Sequence, residues 1–198
     1  MQNNITTKLL IKNKMIEVIC GPMFSGKTEE LIRRLKRVAI SGQTYIVIKP
    51  KIASRYDAED TGISTHDETN SLNAVAVEDC IADIYYATEE YNVVAIDEAQ
   101  FFSEKLYQVV MMLADSGKRI IISGLDTDFR RKPFPTIANL MSVADKVDKL
   151  HSICMGCKED AIYSLRTSNE TDLMVIGNQD TYLPLCRKCY NNKKDGTK

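Results

Sequence analysis

Short apolar runs alternate along this chain with segments whose apolar residues recur at helical spacing. The first run, Met15–Cys20, is nearly continuous and rich in β-branched residues, and the later runs resemble it. Strands of this composition are typical of a parallel sheet that is covered on both faces. The pattern predicts strands at 15–20, 44–49, 75–77, 92–97 and 118–123, and helices at 28–40, 79–90 and 103–116. This alternation predicts an α/β fold, a mostly parallel sheet flanked by helices.

Two regions depart from the pattern. Residues 51–73 are polar and rich in turn formers, which predicts a loop or a hairpin, and so long a connection is often functional. From about residue 150 the chain changes to cysteines, short strand-like runs and polar turns. We therefore predict an α/β nucleotide-binding domain over 1–150, a smaller domain over 151–190 and a disordered tail over 191–198.

The segment after the first predicted strand, 21–28, reads GPMFSGKT and matches the phosphate-binding pattern G-x-x-x-x-G-K-[ST] at every fixed position. It stands between a strand and an amphipathic helix, which is the context of a P-loop; a chance match in a turn before a helix is the alternative. Lys27 would reach the β- and γ-phosphates of a nucleotide, and the Thr28 hydroxyl would bind Mg²⁺. The nucleotide-binding residues predicted from this motif are Gly21, Pro22, Met23, Phe24, Ser25, Gly26, Lys27 and Thr28.

Two adjacent carboxylates, Asp97 and Glu98, end the apolar run at 92–97. In an open α/β sheet, ligands bind beyond the carboxyl ends of the strands, where the P-loop also lies. Asp97 would help to hold Mg²⁺, and Glu98 would activate a nucleophile, either water in an ATPase or a hydroxyl in a kinase. The alternative is a pair of residues that only caps the next helix.

Four of the six cysteines form two C-x-x-C pairs, Cys154 with Cys157 and Cys186 with Cys189. Four thiolates in such turns favour a tetrahedral, structural Zn²⁺ site, with disulfides or free thiols as alternatives. The loop between the pairs is interpreted either as a structural hairpin or as a lid whose ends the metal fixes. The other two cysteines, Cys20 and Cys80, are expected to be small buried side chains.

The formal net charge of −1 gives no reason to expect binding to nucleic acid or to a membrane surface, so a small-molecule substrate fits better. No apolar run reaches the ~20 residues of a membrane helix, and the polar N-terminus lacks the apolar region of a secretory signal. Paired cysteines beside a P-loop favour a reduced, cytoplasmic protein that binds a metal.

Together these motifs resemble the type II thymidine kinase family over residues 15–190. The ordered set consists of the P-loop, Thr65-His-Asp67, Asp97-Glu-Ala-Gln-Phe-Phe102, Gly124-Leu-Asp126, Arg131-Lys-Pro-Phe134 and the two cysteine pairs. Any one of these motifs is shared widely, but their order is specific to the family. The resemblance implies a RecA-like P-loop domain with a zinc-stapled lasso domain.

The same resemblance implies an ATP- and Mg²⁺-dependent enzyme that phosphorylates the 5′-hydroxyl of thymidine, and of deoxyuridine. Glu98 would be the general base, and Arg55 would assist Lys27 at the phosphates. The residues that match the thymidine pocket and its lasso loop are Met23, Phe101, Leu125, Phe129, Phe134, Val175, Ile176, Gly177 and Tyr182. The family further implies a homotetramer that thymidine triphosphate inhibits.

Two other functions compete with a nucleoside kinase. A P-loop ATPase that moves along nucleic acid would need basic, aromatic surfaces, which the balanced charge and the short chain disfavour. A non-catalytic zinc module would leave both the P-loop and Glu98 without a role.

Overall fold

The computed structural model describes residues 15–51, 62–64, 71–167 and 181–194. Its first eight strands are β1 (Met15–Cys20), β2 (Tyr45–Pro50), β3 (Gly62–Ser64), β4 (Ser71–Asn73), β5 (Val75–Val77), β6 (Val93–Ile96), β7 (Arg119–Gly124) and β8 (Lys146–Lys149). Six of them form one sheet in the order β5-β2-β6-β7-β1-β8, in which every neighbouring pair is parallel. Strands β3 and β4 form a separate antiparallel hairpin.

Helices cover both faces of this sheet. They are α1 (Lys27–Ile40), α2 (Ile81–Thr88), α3 (Leu106–Asp115) and α4 (Pro135–Val143), and a 3₁₀ turn spans Ala99–Phe101. Alternate residues of a strand face opposite sides. Accordingly Ile19 of β1 packs with Leu31 and Leu35 of α1, whereas Val18 packs on the other side with residues such as Val109 of α3. Burying both faces accounts for the continuous apolar strands.

The C-terminal part is a small unit of short strands and one helix. Its elements are β9 (Ser152–Ile153), β10 (Asp160–Ala161), β11 (Tyr163–Arg166), β12 (Tyr182–Leu185) and α5 (Arg187–Lys194). Strand β9 pairs with β10, and β11 pairs with β12, both in antiparallel fashion. A core of its own contains Cys154, Ala161, Tyr163, Leu185 and Tyr190, all of them buried.

The predicted fold class is confirmed, and each predicted strand and helix is present within a few residues of its expected ends. Gly42 and Gly117 have positive φ directly after α1 and α3, as helix ends require. Strand β8 and helix α4 were not predicted. Strand β8 lies at the edge of the sheet and reads Lys-Val-Asp-Lys. An edge strand is partly exposed and often charged, so β8 lacks the apolar composition from which the central strands were predicted.

Helix α5 extends to Lys194, into the segment 191–198 for which a disordered tail is predicted. The first turn of this helix packs in the core of the C-terminal unit through Cys189 and the buried ring of Tyr190. The polar last turn extends the helix from this packed part. Residues 195–198 lie outside the described part. Among the described residues, no helix combines the length and the apolar composition needed to cross a bilayer.

Candidate active site

The P-loop joins β1 to α1 at the carboxyl edge of the sheet. Gly26 has a left-handed φ of 79°, and α1 begins at the next residue, Lys27, so that the first N–H groups of the helix point towards the loop. Gly21 has a φ of 144°, and a Cβ at this position would lie 2.4 Å from the carbonyl oxygen of Leu150. Only glycine therefore fits at the first position of the motif.

Two side chains of the loop bind the carbonyl oxygen of Pro22. The ammonium group of Lys27 donates to it at 2.6 Å and the hydroxyl of Ser25 donates at 2.8 Å. Burial lowers the pKa of Lys27, while the charges of Glu98, Asp97 and other neighbours act in the opposite direction. A phosphate is a stronger partner for this ammonium group than a carbonyl oxygen is, so the arrangement suits an anion.

Asp97 follows β6 directly, and its carboxylate is buried. It accepts a hydrogen bond from the hydroxyl of Ser123 on the neighbouring strand β7. Burial, together with the charge of Glu98, raises the pKa of Asp97 to about 6, although Ser123 and Lys27 act in the opposite direction. A buried carboxylate is suited to binding a cation, and Mg²⁺ prefers such oxygen ligands.

Glu98 is half-buried and has a left-handed φ of 52°, which is uncommon for a residue with a side chain. Its carboxylate accepts a hydrogen bond from the side-chain amide of Gln100. The carbonyl oxygen of the same Gln100 side chain accepts the backbone N–H of Leu125 at 3.0 Å. A Cβ on Gly124 would lie 2.8 Å from that oxygen, so glycine leaves room for this bridge.

A third carboxylate, Asp126, is buried in the loop after β7. One oxygen lies 2.6 Å from the ammonium group of Lys149, and the other has no hydrogen-bond partner among the described residues. The charge of Asp126 also acts on Lys27. The charges of three carboxylates, Asp97, Glu98 and Asp126, therefore act on the P-loop lysine.

The loop after β7 carries several residues predicted for the thymidine pocket. The side chain of Asp128 accepts the N–H groups of Arg130 and Lys132, both at 2.8 Å, and this fixes the turn. Helix α4 begins at Pro135, next to the buried ring of Phe134, which also packs in the main core.

The C-terminal unit contacts this loop through a buried arginine. The guanidinium of Arg166 lies 3.9 Å from the ring centre of Phe129 and donates a 3.0 Å hydrogen bond to the hydroxyl of Tyr182. In addition, the hydroxyl of Tyr190 donates to the carbonyl oxygen of Phe129. Two predicted pocket residues, Phe129 and Tyr182, are thus brought together by a side chain that was not predicted from the sequence.

The four cysteines of the C-x-x-C pairs converge. Their sulfur atoms all lie within 4.8 Å of one another, as tetrahedral coordination of one metal ion requires. Burial opposes ionisation of Cys154, but backbone N–H groups of Cys186, Cys157 and Gly156 donate to its sulfur, and its pKa falls to about 6. A Cβ on Gly156 would lie 2.8 Å from the sulfur of Cys189. These four residues could therefore hold zinc.

The other two cysteines differ from each other. Cys20 is buried at the end of β1, as expected. Cys80 is exposed, contrary to expectation, because it stands at the N-terminal end of α2 outside the core.

Not every predicted site residue can be located. Arg55, Val175, Ile176 and Gly177 lie outside the described residues. Phe101 ends the 3₁₀ turn that carries Gln100. Several polar residues that contact the site were not predicted, namely Gln100, Ser123, Asp126, Lys149, Ser164 and Arg166. Gln100 and Asp126 belong to motifs that the sequence shows, so those motifs could have identified them as site residues. Ser164 and Arg166 belong to no such motif.

Comparisons with known proteins concern the chain as a whole. A family model described as thymidine kinase matches residues 14–190. The thymidine kinase of Porphyromonas gingivalis is 46% identical over 180 residues, which cover 91% of this chain and 86% of that protein. The thymidine kinase of Bacteroides thetaiotaomicron is 46% identical over 175 residues, which cover 88% of this chain and 86% of that protein.

One solved structure that matches part of the chain is domain III of the replication initiation protein DnaA from Thermotoga maritima. Its TM-score is 0.45 at 16% identity, and the match covers 73% of this chain and 58% of that one. A likeness of this size supports no conclusion about function.

Proposed function

The chain belongs to the thymidine kinase family, and on this premise we propose that it transfers the γ-phosphoryl group of ATP to the 5′-hydroxyl of thymidine and of deoxyuridine. The observation that carries the proposal is that the P-loop follows β1 and Glu98 follows β6 at the same carboxyl edge of the sheet, where the charge of Glu98 acts on Lys27. A phosphate-binding cation beside a half-buried carboxylate is what transfer to a hydroxyl needs.

In the proposed reaction, Glu98 takes the proton of the 5′-hydroxyl as the oxygen bonds to the γ-phosphorus. The bond from that phosphorus to the bridging oxygen breaks, and ADP leaves with the electron pair. Lys27 exchanges the carbonyl oxygen of Pro22 for phosphate oxygens and balances their charge. Arg55 is proposed to assist there.

We propose that Thr28 and Asp97 hold Mg²⁺. When bound, the ion neutralises charge on the β- and γ-phosphates. The burial of Asp97 and the pKa of about 6 that results support this assignment, because a nearby cation would restore its ionised form. The other P-loop residues, Gly21 to Gly26, would contribute shape and backbone N–H groups, except for Pro22, which has no N–H group, and Met23, whose N–H donates to Ser164.

We propose that the acceptor pocket is lined by Met23, Phe101, Leu125, Phe129, Phe134 and Tyr182, and is closed by the lasso segment with Val175, Ile176 and Gly177. The contacts that join Phe129 to Tyr182 through Arg166 support a common wall. Zn²⁺ bound by the four cysteines would fix both ends of the lasso, which lowers the entropy cost of ordering it.

Several further properties are proposed on the family relationship and the motifs. They are a homotetrameric assembly, inhibition by thymidine triphosphate, a cytoplasmic location and a boundary near residue 150 between the P-loop domain and the lasso domain.

The direct test is to mix the protein with Mg²⁺-ATP and a panel of nucleosides and to look for monophosphates. We expect thymidine monophosphate and ADP in equal amounts. ATP hydrolysis that DNA stimulates, with no monophosphate from thymidine or deoxyuridine, would refute the proposal and favour a nucleic-acid motor.

A further inference from the structure

Helix α5 contacts the loop after β7, residues 125–134, through two consecutive side chains. The hydroxyl of Tyr190 donates a 2.5 Å hydrogen bond to the carbonyl oxygen of Phe129. The guanidinium of Arg131 lies 4.6 Å from the ring centre of the same tyrosine and donates a 2.8 Å hydrogen bond to the side chain of Asn191. The helix therefore holds this loop both at its backbone and at a side chain.

The loop itself has a strained backbone at this point. Arg131 has a left-handed φ of 67°, which is uncommon for a residue with a side chain. Its N–H donates to the carbonyl oxygen of Asp128 at 2.9 Å, and the N–H of Asp128 donates to the carbonyl oxygen of Lys132 at 2.8 Å. A strained turn of this kind persists only where surrounding contacts fix it, and α5 supplies such contacts.

The position of Tyr190 depends in turn on the four-cysteine cluster. Cys186 directly precedes α5, Cys189 lies in its first turn, and the N–H of Tyr190 donates to the carbonyl oxygen of Cys186 at 2.9 Å. Tyr190 is 3% exposed, and its ring centre lies 5.5 Å from that of Tyr163. A metal ion bound by all four sulfurs would fix the start of this helix and, with it, the direction of the tyrosine hydroxyl.

We infer that Tyr190 is a positioning residue that couples the four-cysteine cluster to the loop after β7, so that a metal ion bound at the cluster restrains Phe129. The inference rests on the proposed function where it assigns Phe129 to the acceptor pocket. The hydroxyl carries the coupling, because a hydrogen bond fixes both the distance and the direction of its acceptor, whereas a cation can shift over the face of a ring. Loss of this bond should loosen the wall at Phe129, while the P-loop stays fixed by β1 and α1.

Two matched substitutions separate the hydroxyl from the packing of the ring. Tyr190→Phe removes only the group that binds the carbonyl oxygen of Phe129. Tyr163→Phe is the control, because it makes the same change in the neighbouring buried ring, whose hydroxyl is not part of that contact. Both rings lie within 5.4 Å of the Arg131 guanidinium and would keep this contact in the variants.

Amide hydrogen exchange measures the effect on the loop without any reaction. In zinc-loaded protein, Tyr190→Phe should accelerate exchange at the N–H of Arg131 by about fivefold or more, the effect of about one lost hydrogen bond. Tyr163→Phe should change this rate by less than about twofold, and the amides of β1 should exchange as in the parent protein in both variants.

Removal of the metal tests the coupling to the cluster. A strong zinc chelator, with the loss of zinc followed by elemental analysis, should accelerate exchange at Arg131 in the parent protein by a larger factor than in Tyr190→Phe, where the connection is already broken. An equal factor in both proteins, or a parent protein that binds no zinc, overturns the coupling. If removal of zinc unfolds the whole chain, as faster exchange in β1 would reveal, the comparison in zinc-loaded protein decides alone.

The kinetic measurement separates positioning from a loss of stability. We expect Tyr190→Phe to raise the KM for thymidine by about fivefold, while the affinity for ADP measured alone changes by less than about twofold. A merely structural role would lower the melting temperature without separating the two substrates.

The two proposals fail in different ways. A parent protein that phosphorylates no nucleoside refutes the proposed function, and the exchange rates then still decide whether Tyr190 fixes the loop. Unchanged exchange at Arg131 in zinc-loaded Tyr190→Phe overturns the inference, and so does a thymidine KM within about twofold of the parent value in an active Tyr190→Phe protein.

Discussion

The side chain of Gln100 holds the carboxylate of Glu98 by a hydrogen bond from its amide group. Gln100 is 6% exposed, and its other end accepts the N–H of Leu125 in the loop after β7. One side chain therefore connects the carboxylate after β6 with the pocket loop after β7. Because Glu98 has an unfavourable left-handed φ, neighbouring contacts of this kind are needed to keep it in place.

The first prediction concerns this bridge. Replacing Gln100 by alanine should lower kcat by about 10- to 100-fold, because Glu98 loses the partner that orients it and Leu125 loses an acceptor. The affinity for ADP, measured by calorimetry without acceptor, should stay within about twofold, since no P-loop residue is changed.

Gln108→Ala is the matched control for this variant, because Gln108 is exposed on α3 and its removal should leave kcat unchanged. If Gln100→Ala retains the kcat of the parent protein, Gln100 does not position the catalytic carboxylate.

The second prediction concerns Glu98 itself. Glu98→Gln keeps the size and the contact with Gln100 but cannot accept a proton, so kcat should fall by about 10²- to 10⁴-fold while ADP still binds. Glu90→Gln, an exposed change near the end of α2, serves as the control for loss of one negative charge. Near-parent turnover in Glu98→Gln would show that another group is the base.

Most of the sheet could be predicted from the sequence because its strands are buried on both faces. Met15–Cys20 has one charged residue among six, and Arg119–Gly124 contains three consecutive isoleucines; a short run of this kind is typical of a strand with helices on both sides. A strand at the edge of the sheet does not show this apolar composition, as Lys146–Lys149 demonstrates. The four cysteines could be found for a different reason, since metal ligands in C-x-x-C turns are defined by local spacing.

The polar contacts of the site could not be predicted in this way. Ser164 and Met23 meet only because β11 folds against the P-loop, and nothing local to either residue indicates the other. The same holds for Arg166, because its neighbours Phe129 and Tyr182 come from separate elements. Motifs identify residues that carry chemistry, whereas the side chains that orient them depend on the completed fold.

The third prediction concerns the metal. We expect about one zinc per chain in reduced protein, and Cys186→Ser should lose it, because three sulfurs hold the ion much more weakly than four. The readouts are elemental analysis and the melting temperature, which should fall together. Cys80→Ser is the control, since this exposed thiol lies outside the cluster. Fresh reduced protein without zinc would contradict the prediction.

The last prediction compares two neighbouring arginines of α1 that both bind Glu30. Arg34 is 5% exposed and also pairs with Glu17 at 2.6 Å and Asp148 at 2.5 Å, whereas Arg33 is 61% exposed. Arg34→Met should lower the free energy of unfolding by about 3–5 kcal/mol, because it leaves the buried Glu17 with too little compensating charge. Arg33→Met removes a screened surface pair and should leave the denaturation midpoint almost unchanged. Equal effects of the two substitutions in urea unfolding would show that burial does not decide the strength of these ion pairs.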